Sequence, residues 1–203
     1  MTRRIVFVRH GETEKGSSTR YFGRTDVALS DLGREQLRRA RRALLDEAFD
    51  HVYTSTLRRT REGAEILAPG VPSTALADFD EIHFGEWEGL TEEEIATRYP
   101  EAFARWRRAP GDFAYPGGDD AREFRRRVAS AIRRLLPRMP PRVLVVAHKG
   151  VIRAAVTELL ALSEAERRAW PCDLASIHVL AERDGTWQAE VVNDTRHLAD
   201  LPS

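Results

Sequence analysis

Apolar residues fall along this chain in two distinct periods. "RIVFV", residues 4–8, is a continuous run of β-branched and aromatic residues and predicts a buried strand. After the polar stretch "ETEKGSSTRYFGRTDVALS", the residues Leu32, Leu37, Ala40, Ala43 and Leu44 recur at helical spacing from Ser30 onward. "HVYTS" predicts a short strand and "STLRRTREGAEILA" a helix starting near Ser55. The stretch beginning "VPSTALADFDE" is extended in its first part, and Thr91 with Glu94 makes a capping box that opens a helix ended by Pro100. "YPGGDDAREF" is a loop closing on a second capping box, Asp120 with Glu123, before a helix to about Leu136. "RVLVVAHKG" repeats the grammar of the first strand, and "VIRAAVTELLAL" predicts a helix. Two last strands, "SIHVLAE" and "WQAEVVN", are joined as a hairpin by "RDGT".

Strands alternating with helices predict an α/β three-layer sandwich, a mostly parallel central sheet with helices on both faces. Nothing resembling a linker or repeat interrupts residues 1–203, which read as one domain. The segment from about 80 to 116 carries two helical stretches and little strand, so it is expected as a small helical lid over one end of the sheet.

Composition narrows the class. A chain of 203 residues, 42% hydrophobic, is long enough to bury a sizeable core. Lys+Arg and Asp+Glu both number 32, so no net field draws it toward nucleic acid or anionic lipid, and neither is expected as a partner. Only Lys15 and Lys149 are lysines; the rest of the positive charge is arginine. The sole cysteine, Cys172, has no internal partner for a disulfide, and no cysteine pair is present to hold zinc or an iron–sulfur cluster. No stretch approaches the roughly 20 apolar residues of a membrane span. A cytoplasmic protein is the expectation, with a homodimer as the oligomer left open.

The chemistry gathers at the ends of two strands. "RIVFVRHG" and "RVLVVAHKG" each finish on a histidine, His10 or His148, followed at once or one residue later by glycine. Parallel sheets bind ligands at the carboxyl ends of their strands, so adjacent strands would bring both imidazoles to one rim. The bland alternative is that each histidine satisfies a strand-end backbone group. Arg9 sharpens the other reading, since a guanidinium recognises phosphate or carboxylate bidentately and stays charged. An arginine beside the imidazole also opposes a divalent metal, so no metal site and no cofactor are expected. A neutral imidazole can attack phosphorus and form a phosphohistidine while arginines offset charge on the equatorial oxygens. "YTSTLRRTREGAE" offers Arg58 and Arg59 in the first turn of a helix, and only one of two adjacent residues can face the site. A leaving alkoxide needs a proton, for which "DEIHFGEWEGLTEEE" offers Glu81, Glu86, Glu88 and the run Glu92 to Glu94. That last run is most simply capping and solvated surface. Composition does not choose among the others.

Taken in order, "VRHGETE", "STLRRTREGA", "EIHFGEWEGLT", "PGGDDAREFRRRV" and "VAHKGVIRA" resemble the histidine phosphatase superfamily, the branch of cofactor-dependent phosphoglycerate mutases and small phosphatases. The resemblance spans nearly the whole chain. It implies that His10 is the nucleophile that becomes phosphorylated, that Arg9 and His148 hold the phosphate, that the family's helix arginine is Arg59, and that the acid is Glu81, leaving Glu88 structural. "RYFGRTDVALSDLG" is similar to the mutase segment that positions substrate, which implies substrate contacts at Arg20 and Gly23. "FGEWEGLT" and "YPGGDD" look instead like the phosphatase branch, in particular α-ribazole phosphatases and broad-specificity enzymes. The resemblance thus implies a metal-independent phosphomonoesterase acting on a small phosphate ester. Phosphoglycerate mutase activity is the alternative, and a phosphate-binding regulator without turnover is the rival from another class.

Three departures stand out. Lys15-Gly16 replaces a pair such as Trp-Asn, Lys149 stands where the family usually has a small or polar residue, and Asp119-Asp120 replaces Glu-Ser after the double glycine. The last is expected to be neutral, since aspartate caps a helix as serine does. Lys15 and Lys149 are candidate contacts to a second anionic group on the substrate. His83 is expected near Glu81, whereas His51, His178 and His197 are expected to be structural.

Overall fold

The protein is described from a computed structural model that covers residues 3–201. Six strands form one sheet: β1 (Arg4–Arg9), β2 (His51–Thr54), β3 (Ser73–Ala75), β4 (Arg142–Ala147), β5 (Ile177–Arg183) and β6 (Thr186–Asp194). Their order is β3-β2-β4-β1-β5-β6. The first four strands in chain order pair parallel, and the final hairpin is antiparallel along the β1 edge.

Alternation along the two central strands divides the core into two layers. On β1, Ile5 and Phe7 face one way, with Val143, Val145 and Ala147 of β4. Val6 and Val8 face the other, with Leu144 and Val146. Helices α5 (Ala121–Leu135) and α6 (Lys149–Leu160) cover the first face through Phe124, Val128, Ile132, Ile152 and Val156. Helices α1 (Asp31–Ala43) and α2 (Arg58–Leu67) cover the second through Leu37, Ala40, Ala64 and Leu67. This is the expected three-layer α/β sandwich with a mostly parallel sheet.

The local signals hold with corrections at their edges. Ser30 caps α1 by accepting from the Gly33 amide at 3.0 Å, but Ala43 is exposed while Gly33 and Gln36 lie on the buried face. The helix expected near Ser55 begins at Arg58, because the Ser55 hydroxyl accepts from the Leu57 amide in a turn ahead of it. Thr91 and Glu94 form the reciprocal capping box of α3 (Glu92–Arg98). Asp120 caps α5 alone, accepting from the Arg122 and Glu123 amides, with no return bond from Glu123. Pro100 both ends α3 and opens a further helix, α4 (Pro100–Arg108), at the position where its missing N–H costs nothing. α7 (Glu164–Ala169) carries its own capping box on Ser163 and Glu166, a signal overlooked in the sequence. The hairpin turn is Asp184-Gly185, both at positive φ, as a two-residue turn of this kind requires.

Residues 80–116 contain α3, α4 and short 3₁₀ turns. Trp87 is fully buried there, ringed by Tyr21, Phe103, Trp106, Phe113 and Tyr115, and this aromatic cluster is continuous with the α5/α6 side of the core. Among the described residues no helix is long and apolar enough to cross a membrane.

Candidate active site

Because β1 and β4 are parallel neighbours with Arg9 opposite Ala147, the residues that follow them leave the sheet side by side. The His10 amide still donates to the Ala147 carbonyl at 3.0 Å. The two imidazoles meet with ring centroids 5.2 Å apart, inclined at 61°. Both are buried.

Their hydrogen bonds fix their tautomers. Nδ1 of His10 lies 2.7 Å from the Gly11 carbonyl oxygen, which can only accept, so Nδ1 carries the proton and Nε2 keeps its lone pair. Burial, then the charges of Arg59 and Arg9, hold His10 well below the usual imidazole range, so the ring is neutral at physiological pH. His148 has the opposite tautomer. Its Nδ1 accepts from Nε of Arg59 at 3.2 Å, which leaves Nε2 to donate to the Ser55 hydroxyl at 2.8 Å. Ser55 is bonded in turn to the Thr60 hydroxyl at 2.7 Å. His148 too is held well below its ordinary range, by burial first and by Arg59 next.

Arg59 resolves the choice left open in the sequence. It is fully buried at the start of α2, and besides His148 it donates to the carbonyl oxygens of Thr25, Phe22 and Gly23. Burial pushes it down to about 10, against the pull of Glu81 and Glu88, so it remains charged at neutral pH. Arg58, its neighbour, turns outward to pair with Glu62. Arg9 donates Nη1 to the Cys172 carbonyl at 2.8 Å, while its Nε is buried with no partner among the described residues. A buried donor without an acceptor is costly, and Arg9 lies near enough to His10 for its charge to act on the ring.

Glu81 is buried against the start of α6. One carboxylate oxygen accepts from the Gly150 amide at 3.0 Å and the other from its own neighbour Ile82 at 3.0 Å. A Cβ at position 150 would press on that carboxylate, so the glycine after Lys149 makes room for the acid. Glu88 has another fate. It accepts from the amides of Gly23, Arg24, Thr25 and Phe84 and from the Thr25 hydroxyl, knitting two loops together.

The remaining sequence candidates separate. Gly23 lies against the site through its carbonyl on Arg59, and a Cβ there would run into the Ile82 carbonyl. Arg20 is engaged elsewhere, donating to the Gly89 carbonyl at 2.7 Å and to Glu94 at 2.8 Å. Lys15 is exposed, followed by Gly16 at a φ of 78° that closes the turn from Thr13. Lys149 opens α6 directly after His148. His83 contributes backbone bonds to Asp119, whose carboxylate also faces Arg24 and Arg127. His51, His178 and His197 each bond within the fold, to Thr74, to Ser176 and Trp170, and to Ala175.

Sequence reasoning missed the segment 170–176. It holds Arg9 through the Cys172 carbonyl, accepts from the Arg9 amide at Ser176, and donates from Ala175 to the His10 carbonyl. Arg153 braces it at the Trp170 carbonyl. Nothing in its local pattern marks it, because its function is carried by backbone atoms.

Two buried histidines, Arg59 and Arg9 thus gather at the carboxyl ends of adjacent parallel strands. The family model of the histidine phosphatase superfamily (branch 1) matches residues 5–195, and the chain belongs to that family. It is 30% identical over 98% of its length to phosphoserine phosphatase 1 of Hydrogenobacter thermophilus, covering 95% of that protein. It is 33% identical over 79% of its length to a probable 2-carboxy-D-arabinitol-1-phosphatase of Arabidopsis thaliana, of which it spans only 34%. The fold matches the crystal structure of a putative α-ribazole-5'-P phosphatase from Escherichia coli with a TM-score of 0.88, at 23% identity, over 95% of this chain and 97% of that one.

Proposed function

We propose that the protein is a phosphatase that hydrolyses a small phosphorylated metabolite through a phosphohistidine on His10. The observation that carries this reading is the neutral, buried His10 with a free Nε2 lone pair, packed against His148 and within the charge of Arg59 and Arg9. In the first step the Nε2 lone pair attacks phosphorus and the ester P–O bond breaks. Glu81 gives its proton to the departing alkoxide. In the second step a water attacks the phosphohistidine, its proton passes to the Glu81 carboxylate, and the N–P bond breaks to release inorganic phosphate. Arg9, whose Nε–H is unspent, and the charge of Arg59 are available to the equatorial oxygens, and the Nε2–H of His148 would join them by leaving Ser55. The guanidinium groups beside both imidazoles favour an anion there over a divalent metal, which supports a metal-independent reaction. Residues 80–116, which supply Glu81, act in this reading as the lid that sets how much water reaches the phosphoenzyme.

The test is a mixing experiment with p-nitrophenyl phosphate in EDTA. The parent is expected to turn over, to be inhibited by vanadate, and to yield an acid-labile phosphoryl adduct on His10. His10→Ala should lose roughly 10³-fold or more in kcat. Unchanged turnover by that variant would overturn the assignment. Incubation with 3-phosphoglycerate separates hydrolysis from phosphoryl transfer between hydroxyls: a phosphatase releases inorganic phosphate, a mutase forms the isomer. α-Ribazole 5'-phosphate belongs in the same screen, since the E. coli fold neighbour is described as a putative phosphatase for it.

A further inference from the structure

Lys149 stands out in the charge pattern of the whole molecule. Arginines across the surface are matched to carboxylates, as in Arg3 with Glu182, Arg133 with Glu158 and Arg142 with Asp50. Lys149 makes no ion pair and no side-chain hydrogen bond among the described residues, although it sits at the edge of the proposed phosphate site. Its charged neighbours are mostly of its own sign. Lys149 is exposed as a residue, yet partial desolvation, then Arg153 and Arg9, hold its ammonium below the usual lysine range, with Asp173 the compensating carboxylate. Asp173 is itself engaged by the Asn193 side chain at 2.7 Å. The nearby Cys172 thiol is pushed up to about 11 by burial, so it stays neutral and supplies no counter-charge.

Both arginines of this group are held on segment 170–172 by its carbonyls, Arg9 on Cys172 and Arg153 on Trp170. Lys149 is tied to nothing. An exposed ammonium is thus presented near guanidinium groups held by carbonyls, one residue from His148. Such an arrangement concentrates positive charge beside the site, and an anion entering between these groups would be met by all of them.

We propose that Lys149, supported by Arg153, forms a second anion subsite beside the phosphate site, so that the preferred substrates are small phosphate monoesters bearing a second anionic group, a carboxylate or another phosphate. This rests on the phosphatase reading above. The second group lies on the side of α6 and segment 170–173, far along the chain from the loop that carries Arg20 and Lys15. Those two residues do not share the subsite: Arg20 is held by Glu94 and Gly89, and Lys15 lies in the 13–16 turn, away from α6 and segment 170–173 along the chain.

The test compares matched ligands on the full-length protein. 3-Phosphoglycerate and glycerol 3-phosphate share a three-carbon skeleton and differ in a carboxylate; fructose 1,6-bisphosphate and fructose 6-phosphate differ in a phosphate. For the parent, kcat/KM should favour the doubly anionic member of at least one pair, and which pair identifies the second group. Lys149→Met should lower that ratio by about tenfold, Lys149→Arg should largely restore it, and Lys149→Glu should shift preference toward phosphoethanolamine. If the ratio is the same in parent and Lys149→Met while p-nitrophenyl phosphate is hydrolysed, the subsite is wrong and the phosphatase reading stands. If no ester is turned over, the phosphatase reading fails, and the subsite is read by calorimetric binding of the same pairs to parent and Lys149→Met, where equal affinities would overturn it.

Discussion

Glu81 and Glu88 stand in one short segment and end in opposite circumstances. Glu88 is surrounded by donors from residues 23–25 and from Phe84, so its lone pairs are spent on holding loops. Glu81 accepts from two amides only, one of them at Gly150, two residues after His148, and retains capacity to give or take a proton. Replacing Glu81 by glutamine should therefore lower kcat on alkyl phosphates by about 10²–10⁴-fold, with a smaller loss on p-nitrophenyl phosphate, whose leaving group needs little protonation. Equal losses on both would remove Glu81 from the acid role. Glu88→Gln should act on the fold instead, costing roughly 1–3 kcal/mol in urea unfolding because backbone donors lose a charged acceptor. The pH dependence follows from His10. Since its ring is held well below the ordinary range, its Nε2 lone pair is still free at pH 6.5, and if His10 attacks phosphorus as proposed the acid limb in kcat/KM should fall beneath that pH. A limb at or above 6.5 tracking His10 would contradict the buried, cation-flanked environment.

At the scale of elements, the site depends on how closely α1 approaches the loop after β1. Gly11 and Gly33 face one another, and a Cβ on Gly33 would collide with the backbone of Glu12, whereas one on Gly11 would collide with Gly33. Backbone cannot move aside as a side-chain tip can. Gly33→Ala should destabilise the protein by about 1–3 kcal/mol and displace His10 with the loop, visible as a lowered unfolding midpoint together with reduced kcat. An unchanged midpoint would mean that the loop has slack. Much of this level was legible. The runs ending in His10 and His148 announced parallel strands, the Asp-Gly turn announced the hairpin, and Ser30 and Thr91 announced their helices. Arg59 and Glu81 were distinguished from their neighbours by resemblance alone, because an adjacent arginine or a nearby glutamate has the same local chemistry until the fold decides which is buried. The second helical stretch of residues 80–116 was legible but its start at Pro100 was not, because a proline that ends one helix can begin another. The segment 170–176 was illegible for a deeper reason: it works through carbonyls and amides, which every residue possesses.

That segment ties stability of the whole molecule to pH. His178 lies fully buried on β5 at a register shift between β5 and β6, where Asn193 adopts a φ of 53°. Its Nδ1 accepts from the Trp170 indole at 3.2 Å and from the Asn193 amide at 3.2 Å, and Nε2 donates to Ser176 at 3.2 Å. Both ends of segment 170–176 are thus pinned to a neutral ring, and the same segment orients Arg9 and the His10 backbone. Burial pushes His178 down to about 4 from an ordinary 6.5. The unfolded chain consequently binds a proton more readily than the folded one between those values. The stability contributed by keeping the ring neutral is complete above pH 6.5, declines as pH falls, and is gone below about 4, a loss of order 3 kcal/mol at 1.36 kcal/mol per unit. Urea unfolding at intervals from pH 7.5 to 4 should show this decline. His178→Gln, which offers both an acceptor and a donor without titrating near neutrality, should flatten the part of the slope that belongs to this ring. Because His10 and His148 are also buried and neutral, a residual slope should survive in the variant, in the same direction. The decisive comparison is between the two slopes: if His178→Gln and the parent lose stability in parallel over this range, the network around Trp170 and Asn193 does not depend on the neutral ring, and segment 170–176 is held by its backbone bonds alone.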